Sequence, residues 1–100
     1  MQMQKISYPV IFEPEDVGFS VYVPDMRGCF TQGDTLEEAL ENAHDVIGMM
    51  LEDLSPEEYP LASPQNEIKL EGRQFVMMVA FDKLAYARKY LLNSEDVNKS

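Results

Sequence analysis

Eighteen Asp and Glu side chains stand against eight Lys and Arg in this sequence, so carboxylate chemistry is the first possibility it raises. Clustered acids can hold a pair of Mg²⁺ ions for phosphodiester cleavage, provided that they converge on one cleft from different elements. Glu13, Asp16 and Asp25 fall in or near turn signals, whereas the acids from Asp34 onward follow a helical pattern. Nothing in the spacing brings the two groups together, so no metal site is expected. His44 is the only histidine and Cys29 the only cysteine. No nucleophile–base pair, glycine-rich phosphate loop or Cys/His cluster with metal spacing accompanies them. His44 on a helix flank reads as a surface residue, and Cys29 beside Phe30 as a small buried hydrophobe. No catalytic residue or cofactor is assigned, and the chain is expected not to be an enzyme.

Binding chemistry is better supplied. Between Gly28 and Ile68 there is no Lys or Arg, while Asp34, Glu37, Glu38, Glu41, Asp45, Glu52, Asp53, Glu57, Glu58 and Glu67 all fall inside. Those ten charges equal the net charge of the whole chain, −10. Nucleic-acid binding through phosphates needs clustered cations, which this composition lacks. A strongly acidic small domain suits a basic partner, whose encounter it accelerates, or it serves solubility alone.

The elements that must position these acids follow from periodicity. One hundred residues with 45% hydrophobic content make one folded domain with a modest core. Ile6–Phe12 reads as a first strand, with Pro9 better suited to an edge or a strand start than to a central ladder. Glu13–Gly18 is a turn. Phe19–Val23 alternates as a half-buried strand does. Pro24-Asp25 opens another turn, Gly28 closes it, and Cys29–Gln32 is a short third strand. Three short strands with tight connections predict an antiparallel meander.

Thr35 with Glu38 matches the capping box at a helix start. From there Leu36, Ala39, Leu40, Ala43, Val46, Ile47, Met50, Leu51 and Leu54 form one apolar stripe. The helix is expected to run about five turns and to end before Ser55-Pro56. Its polar side gathers Glu37, Glu41, Asp45, Gly48 and Glu52, with Met49 in the middle. Gly48 costs about 1 kcal/mol against Ala in a helix interior, yet its bare backbone lets another surface approach. A Met beside a Gly in an acidic field resembles a contact patch; the alternative is a solvated face with a tolerated Met and a neutral Gly.

Pro56–Gln65 carries three prolines and reads as an extended connector. Gln74–Phe81 is an unbroken apolar run, expected as a strand buried on both faces. Asp82 is placed to cap a short helix over Lys83–Leu92, with Leu84, Ala87, Tyr90 and Leu91 as its apolar positions. Residues 93–100 read as a polar tail or linker, leaving 1–92 as the domain. The fold class is therefore α+β, in the order β-β-β-α-β-α. A lone cysteine, no secretory h-region and no apolar run of roughly 20 residues point to a cytoplasmic protein without a membrane partner.

This order resembles the HicB antitoxin family of type II toxin–antitoxin systems. The matching residues are Tyr8-Pro9-Val10-Ile11-Phe12 and Gly18-Phe19-Ser20-Val21-Tyr22-Val23-Pro24-Asp25. They continue through Gly28-Cys29, Thr31-Gln32-Gly33-Asp34-Thr35, Glu37-Glu38-Ala39-Leu40 and Ala43, with a weaker match over Phe75-Val76-Met77-Met78-Val79, Asp82 and Tyr86. The resemblance implies a degenerate ribonuclease H fold without that enzyme's catalytic carboxylates. It implies binding and masking of a small, basic HicA-type toxin that cleaves mRNA with a catalytic histidine on a double-stranded-RNA-binding-like fold. Glu37, Glu41, Asp45, Gly48, Met49 and Glu52 are then the expected contacts, with Glu37 at the rim. Members usually continue into a C-terminal DNA-binding segment, ribbon-helix-helix or helix-turn-helix. This chain stops at Ser100 where such a segment would begin, so direct nucleic-acid binding is expected only with it. The alternative function is a homo-oligomeric interaction module without a toxin; exposed edge strands favour a dimer in either case.

Overall fold

A computed structural model of the chain describes residues 5–92. Four strands form one antiparallel sheet: β1 (Lys5–Pro14), β2 (Phe19–Tyr22), β3 (Phe30–Gly33) and β4 (Phe75–Asp82). Their spatial order is β3-β2-β1-β4. The first three strands are the expected meander, and β4 returns to the free side of β1, pairing from Lys5↔Asp82 to Phe12↔Phe75. Gly18, at φ +77°, closes the β1–β2 turn, where the Glu15 amide donates to the Gly18 carbonyl at 2.9 Å. The left-handed backbone there is readily adopted only by glycine.

β1 is a central strand, so Pro9 is not at an edge. It is tolerated because the β1–β2 pairing begins at Ile11↔Tyr22, leaving β4 as the only strand beside Pro9 among the described residues, with Met78 opposite it. A missing amide does no harm where no ladder partner stands on that side.

Strand alternation sends Tyr8, Val10, Phe12, Val21, Val79 and Phe81 to one face of the sheet, where all are buried. The helix α1 (Leu36–Leu51) covers that face with Ala39, Ala43, Ile47 and Leu51, also buried. Each large side chain so buried contributes about 1.5–3 kcal/mol of transfer free energy. Cys29 is fully buried in the same cluster, as a small hydrophobe.

α1 starts where the capping pattern places it. The Glu38 amide donates to Thr35 Oγ1 at 3.0 Å. The return bond differs from the expected box: Glu38 Oε1 accepts from the Asp34 amide, at 2.7 Å, one residue earlier than Thr35. The helix is also shorter than the apolar stripe suggested. It ends at Leu51, and Leu54 closes a turn by donating to the Leu51 carbonyl at 3.0 Å.

The connector is more structured than an extended segment. It contains short 3₁₀ turns at Pro56–Glu58 and Gln65–Glu67. Two long-range attachments hold it: Tyr8 Oη donates to the Pro60 carbonyl at 2.7 Å, and Asp25 accepts from both the amide and the hydroxyl of Ser63, at 2.8 and 2.6 Å.

β4 is not buried on both faces. It is an edge strand in which Val79 and Phe81 face the core while Met78 and Ala80 are exposed. The unbroken apolar run hid an alternation that only the sheet order reveals. Asp82 does cap the second helix, α2 (Lys83–Ala87), accepting from the Leu84 and Ala85 amides at 3.0 and 3.2 Å. A π-helical turn, Arg88–Leu92, continues it. Leu84 is exposed rather than packed; Tyr86 and Ala87 take the inner positions. The side chain of Leu91 and the whole tail, 93–100, lie outside the described residues.

Candidate partner-binding surface

The outward stripe of α1 places Glu37, Glu41, Asp45, Gly48 and Glu52 one above another, since residues three or four apart share a helix face. Much of that stripe is occupied by α2 and the turn after it. Lys89 Nζ reaches Glu41 Oε2 at 2.8 Å and Asp45 Oδ2 at 2.9 Å. Tyr90 Oη donates to Asp45 Oδ2 at 2.6 Å, and Tyr86 Oη to Glu52 Oε1 at 3.0 Å. The close approach expected at Gly48 is made within the chain: a Cβ there would lie 2.5 Å from Tyr86 Cδ1 and Cε1 and 3.0 Å from Phe81 Cε1. The Tyr86 ring in turn stacks obliquely on Phe81 and Tyr90, at 5.7 and 4.9 Å between centroids.

Electrostatics follow from this arrangement. Burial pushes the Asp45 carboxyl up, but hydrogen bonds from Tyr90 and Lys89 outweigh it and leave it below its ordinary value. Hydrogen bonds to Glu41 and Asp45 hold the Lys89 ammonium well above its ordinary range. Burial, reinforced by the bond to Glu52, raises the Tyr86 phenol to about 12. Asp45 Oδ1 is buried without a hydrogen bond; His44 Nδ1 stands 3.6 Å away, beyond bonding distance. His44 is half-buried rather than on the surface. Its Nε2 accepts the Asp82 amide at 3.3 Å and its ring packs on Phe81 at 5.1 Å. An acceptor at Nε2 assigns the proton of the neutral ring to Nδ1, facing Asp45.

The structure thus gathers Asp45, Gly48 and Glu52 beneath or against α2, with Glu41 at its edge. Glu37 and Met49 lie free of it, Met49 with 64% of its surface exposed. Sequence reasoning missed Tyr86 and Lys89 as the residues that meet the acidic stripe. A signal was present: three of the eight cations, Lys83, Arg88 and Lys89, fall in the seven residues that follow Asp82.

Around and beyond α2's footprint the surface remains strongly anionic. Glu37, Glu38, Glu41, Glu52, Asp53, Glu57 and Glu58 are all exposed. On the other side of the sheet one register row, Phe30↔Tyr22↔Ile11↔Val76, carries apolar side chains across all four strands. Tyr22 and Phe30 stack there at 5.0 Å, 37% and 64% exposed. Among the described residues no group of His, Cys, Asp or Glu is placed to hold a metal ion, and no helix is long and apolar enough to cross a membrane.

Known proteins resemble this chain in sequence or in fold. A 14.9 kDa protein of Haemophilus phage HP1, of uncharacterised function, is 42% identical over 76 residues, spanning 72% of this chain and 57% of its own length. The toxin–antitoxin complex from Streptococcus pneumoniae contains a chain that superposes with TM-score 0.72 at 23% identity, covering 83% of this chain and 73% of that one, a likeness of fold. A chain of the HicA3 and HicB3 toxin–antitoxin complex is 28% identical with TM-score 0.58, over 77% of this chain and 99% of that one. Residues 8–88 match the family described as the HicB-like antitoxin of bacterial toxin–antitoxin systems. Sheet order, helix placement and sequence therefore agree: the chain belongs to the HicB-like antitoxin family.

Proposed function

We propose that this chain is the binding partner of a small, basic HicA-type mRNA-cleaving toxin, which it neutralises by masking the active site without catalysing a reaction itself. The carrying observation is the cation-free window from Gly28 to Ile68, whose acids line the outer side of α1 and the start of the connector. A toxin that must bind RNA phosphates has to be cationic where it acts, and an anionic protein surface competes for that same site. The HicA3 and HicB3 complex among its structural relatives supports the choice of partner. Of the six expected contact positions, Glu37, Glu41, Met49 and Glu52 make the contacts in this reading, and Asp45 and Gly48 seat α2 beside them.

The test is the affinity of this chain for any small basic protein whose reading frame adjoins its own, measured by calorimetry at two salt concentrations. Tight binding that weakens with salt is expected, and Glu37→Lys with Glu41→Lys should weaken it about tenfold or more, since each buried interfacial charge pair is worth about 1.5 kcal/mol or above. Unchanged affinity in the double variant would move the interface to another face.

A second reading, self-association, is favoured by exposed Phe30 and Tyr22, at the end of an apolar row that continues through buried Ile11 to half-buried Val76. A chain of net charge −10 repels its own copy over most of its surface, and this row is free of charge. The two readings use opposite faces and are compatible.

A further inference from the structure

α1, β4, α2 and the connector do not close completely against one another. They leave an open pocket of about 110 Å³. Gly48 and Leu51 line it from α1, Phe81 from β4, Tyr86 and Ala87 from α2, and Tyr59 from the connector. Only two lining residues are charged, Glu52 and Lys83. The Tyr86 ring takes the space over Gly48 that a side chain would fill, and its hydroxyl reaches Glu52 on the pocket wall.

Its size suits one aliphatic side chain, since an apolar cavity of roughly 150 Å³ accepts benzene. Its surroundings select what carries that side chain. Glu52 lines it, Asp53 follows, and Tyr59 is preceded directly by exposed Glu57 and Glu58. An apolar hole in an anionic field is complementary to an aliphatic residue flanked by Lys or Arg. We infer that this pocket is the anchor socket for a basic partner segment, which inserts one Leu, Ile or Met side chain between Leu51, Tyr59 and Ala87, beside the Tyr86 ring, while neighbouring cations pair with Glu52, Glu57 and Glu58. The inference rests on the toxin reading and deepens it, because it names the chemistry of the segment recognised. Buried anchors of this kind, ringed by polar contacts, carry a disproportionate share of interface affinity.

The test fills the socket from within. Ala87→Phe places a ring in the space that the partner side chain would take, and Ala85→Phe places the same ring on the exposed side of α2, outside the pocket. Both are compared with the unaltered chain for binding to any small basic protein whose reading frame adjoins its own, with melting curves confirming the fold. The expected result is a loss of about thirtyfold or more for Ala87→Phe and little change for Ala85→Phe. A second measurement needs no variant: in the complex of the unaltered chain, the methyl groups of Leu51 and Ala87 should show intermolecular NOEs to an aliphatic side chain of the partner. Tight binding by Ala87→Phe, or a complex in which those methyls see no partner protons, overturns the socket and leaves the toxin reading standing. No binding by the unaltered chain overturns both.

Discussion

The ring of Tyr86 rests directly on the backbone of Gly48, so close that a Cβ at Gly48 would stand 2.5 Å from two ring carbons. This one approach joins the two helices, aims the Tyr86 hydroxyl at Glu52 and leaves the pocket beside it. In an isolated helix Gly48→Ala would stabilise by about 1 kcal/mol. Here it should destabilise by about 1–3 kcal/mol, as overpacking does, because Phe81 at 3.0 Å closes the other side. Urea denaturation of Gly48→Ala alone and with Tyr86→Ala separates the effects: removing Tyr86 should turn the alanine from destabilising to neutral or stabilising. The same sign in both backgrounds would mean that the ring is not what excludes the methyl.

Alkaline pH should loosen α2. The Tyr86 phenol is raised from 10.0 to about 12, chiefly by burial, so the folded state keeps this proton after the unfolded chain has lost it. Its contribution to stability is complete below pH 10 and disappears between pH 10 and about 12. Lys89 and Tyr90 are raised by their bonds to Glu41 and Asp45 and act in the same direction. Asp45 works at the other end: its lowered carboxyl stabilises above its ordinary value and ceases to as pH falls through the folded one. Thermal melts should fall steadily above pH 10, and Tyr86→Phe should make that fall shallower. An equally steep decline in the variant would assign the loss to other groups.

The start of α1 depends on one hydroxyl. Thr35 Oγ1 accepts the Glu38 amide, and Thr35→Ala should cost about 1 kcal/mol, typical of a lost N-cap. Thr35→Ser should restore most of it. Indistinguishable denaturation midpoints for Thr35→Ala and the unaltered chain would count against the cap.

The apolar row of the open sheet face makes a prediction about assembly. If Phe30 and Tyr22 meet a second copy, Phe30→Lys with Tyr22→Lys should convert a dimer to a monomer in sedimentation while leaving the fold intact, because both side chains are exposed in the single chain. A monomeric unaltered chain, or a dimer that survives the change, excludes this face as the contact.

How far the sequence could be read depended on how local each determinant was. Thr35 and Glu38 announce the helix start because capping acts over three residues, and the Phe19–Val23 alternation announces a strand for the same reason. Met78 and Ala80 were misplaced because the exposure of β4 is decided by its position at the sheet edge, which no neighbour in sequence specifies. Pro9 misled in the opposite direction: it is tolerated in a central strand because β2 ends before reaching it. The acidic stripe of α1 was legible as a set, Glu37, Glu41, Asp45 and Glu52. Its partial cover was not, since Lys89 meets Glu41 across 48 residues and only the fold brings them together.

Growth rescue tests the central claim most directly. Any small basic protein whose reading frame adjoins that of this chain is induced in a bacterial host with the unaltered chain, with Glu37→Lys and Glu41→Lys combined, or with neither. Arrest that is relieved by the unaltered chain, and not by the charge-reversed one at equal soluble level, is the result predicted. Arrest that persists despite soluble expression of the unaltered chain would contradict the account.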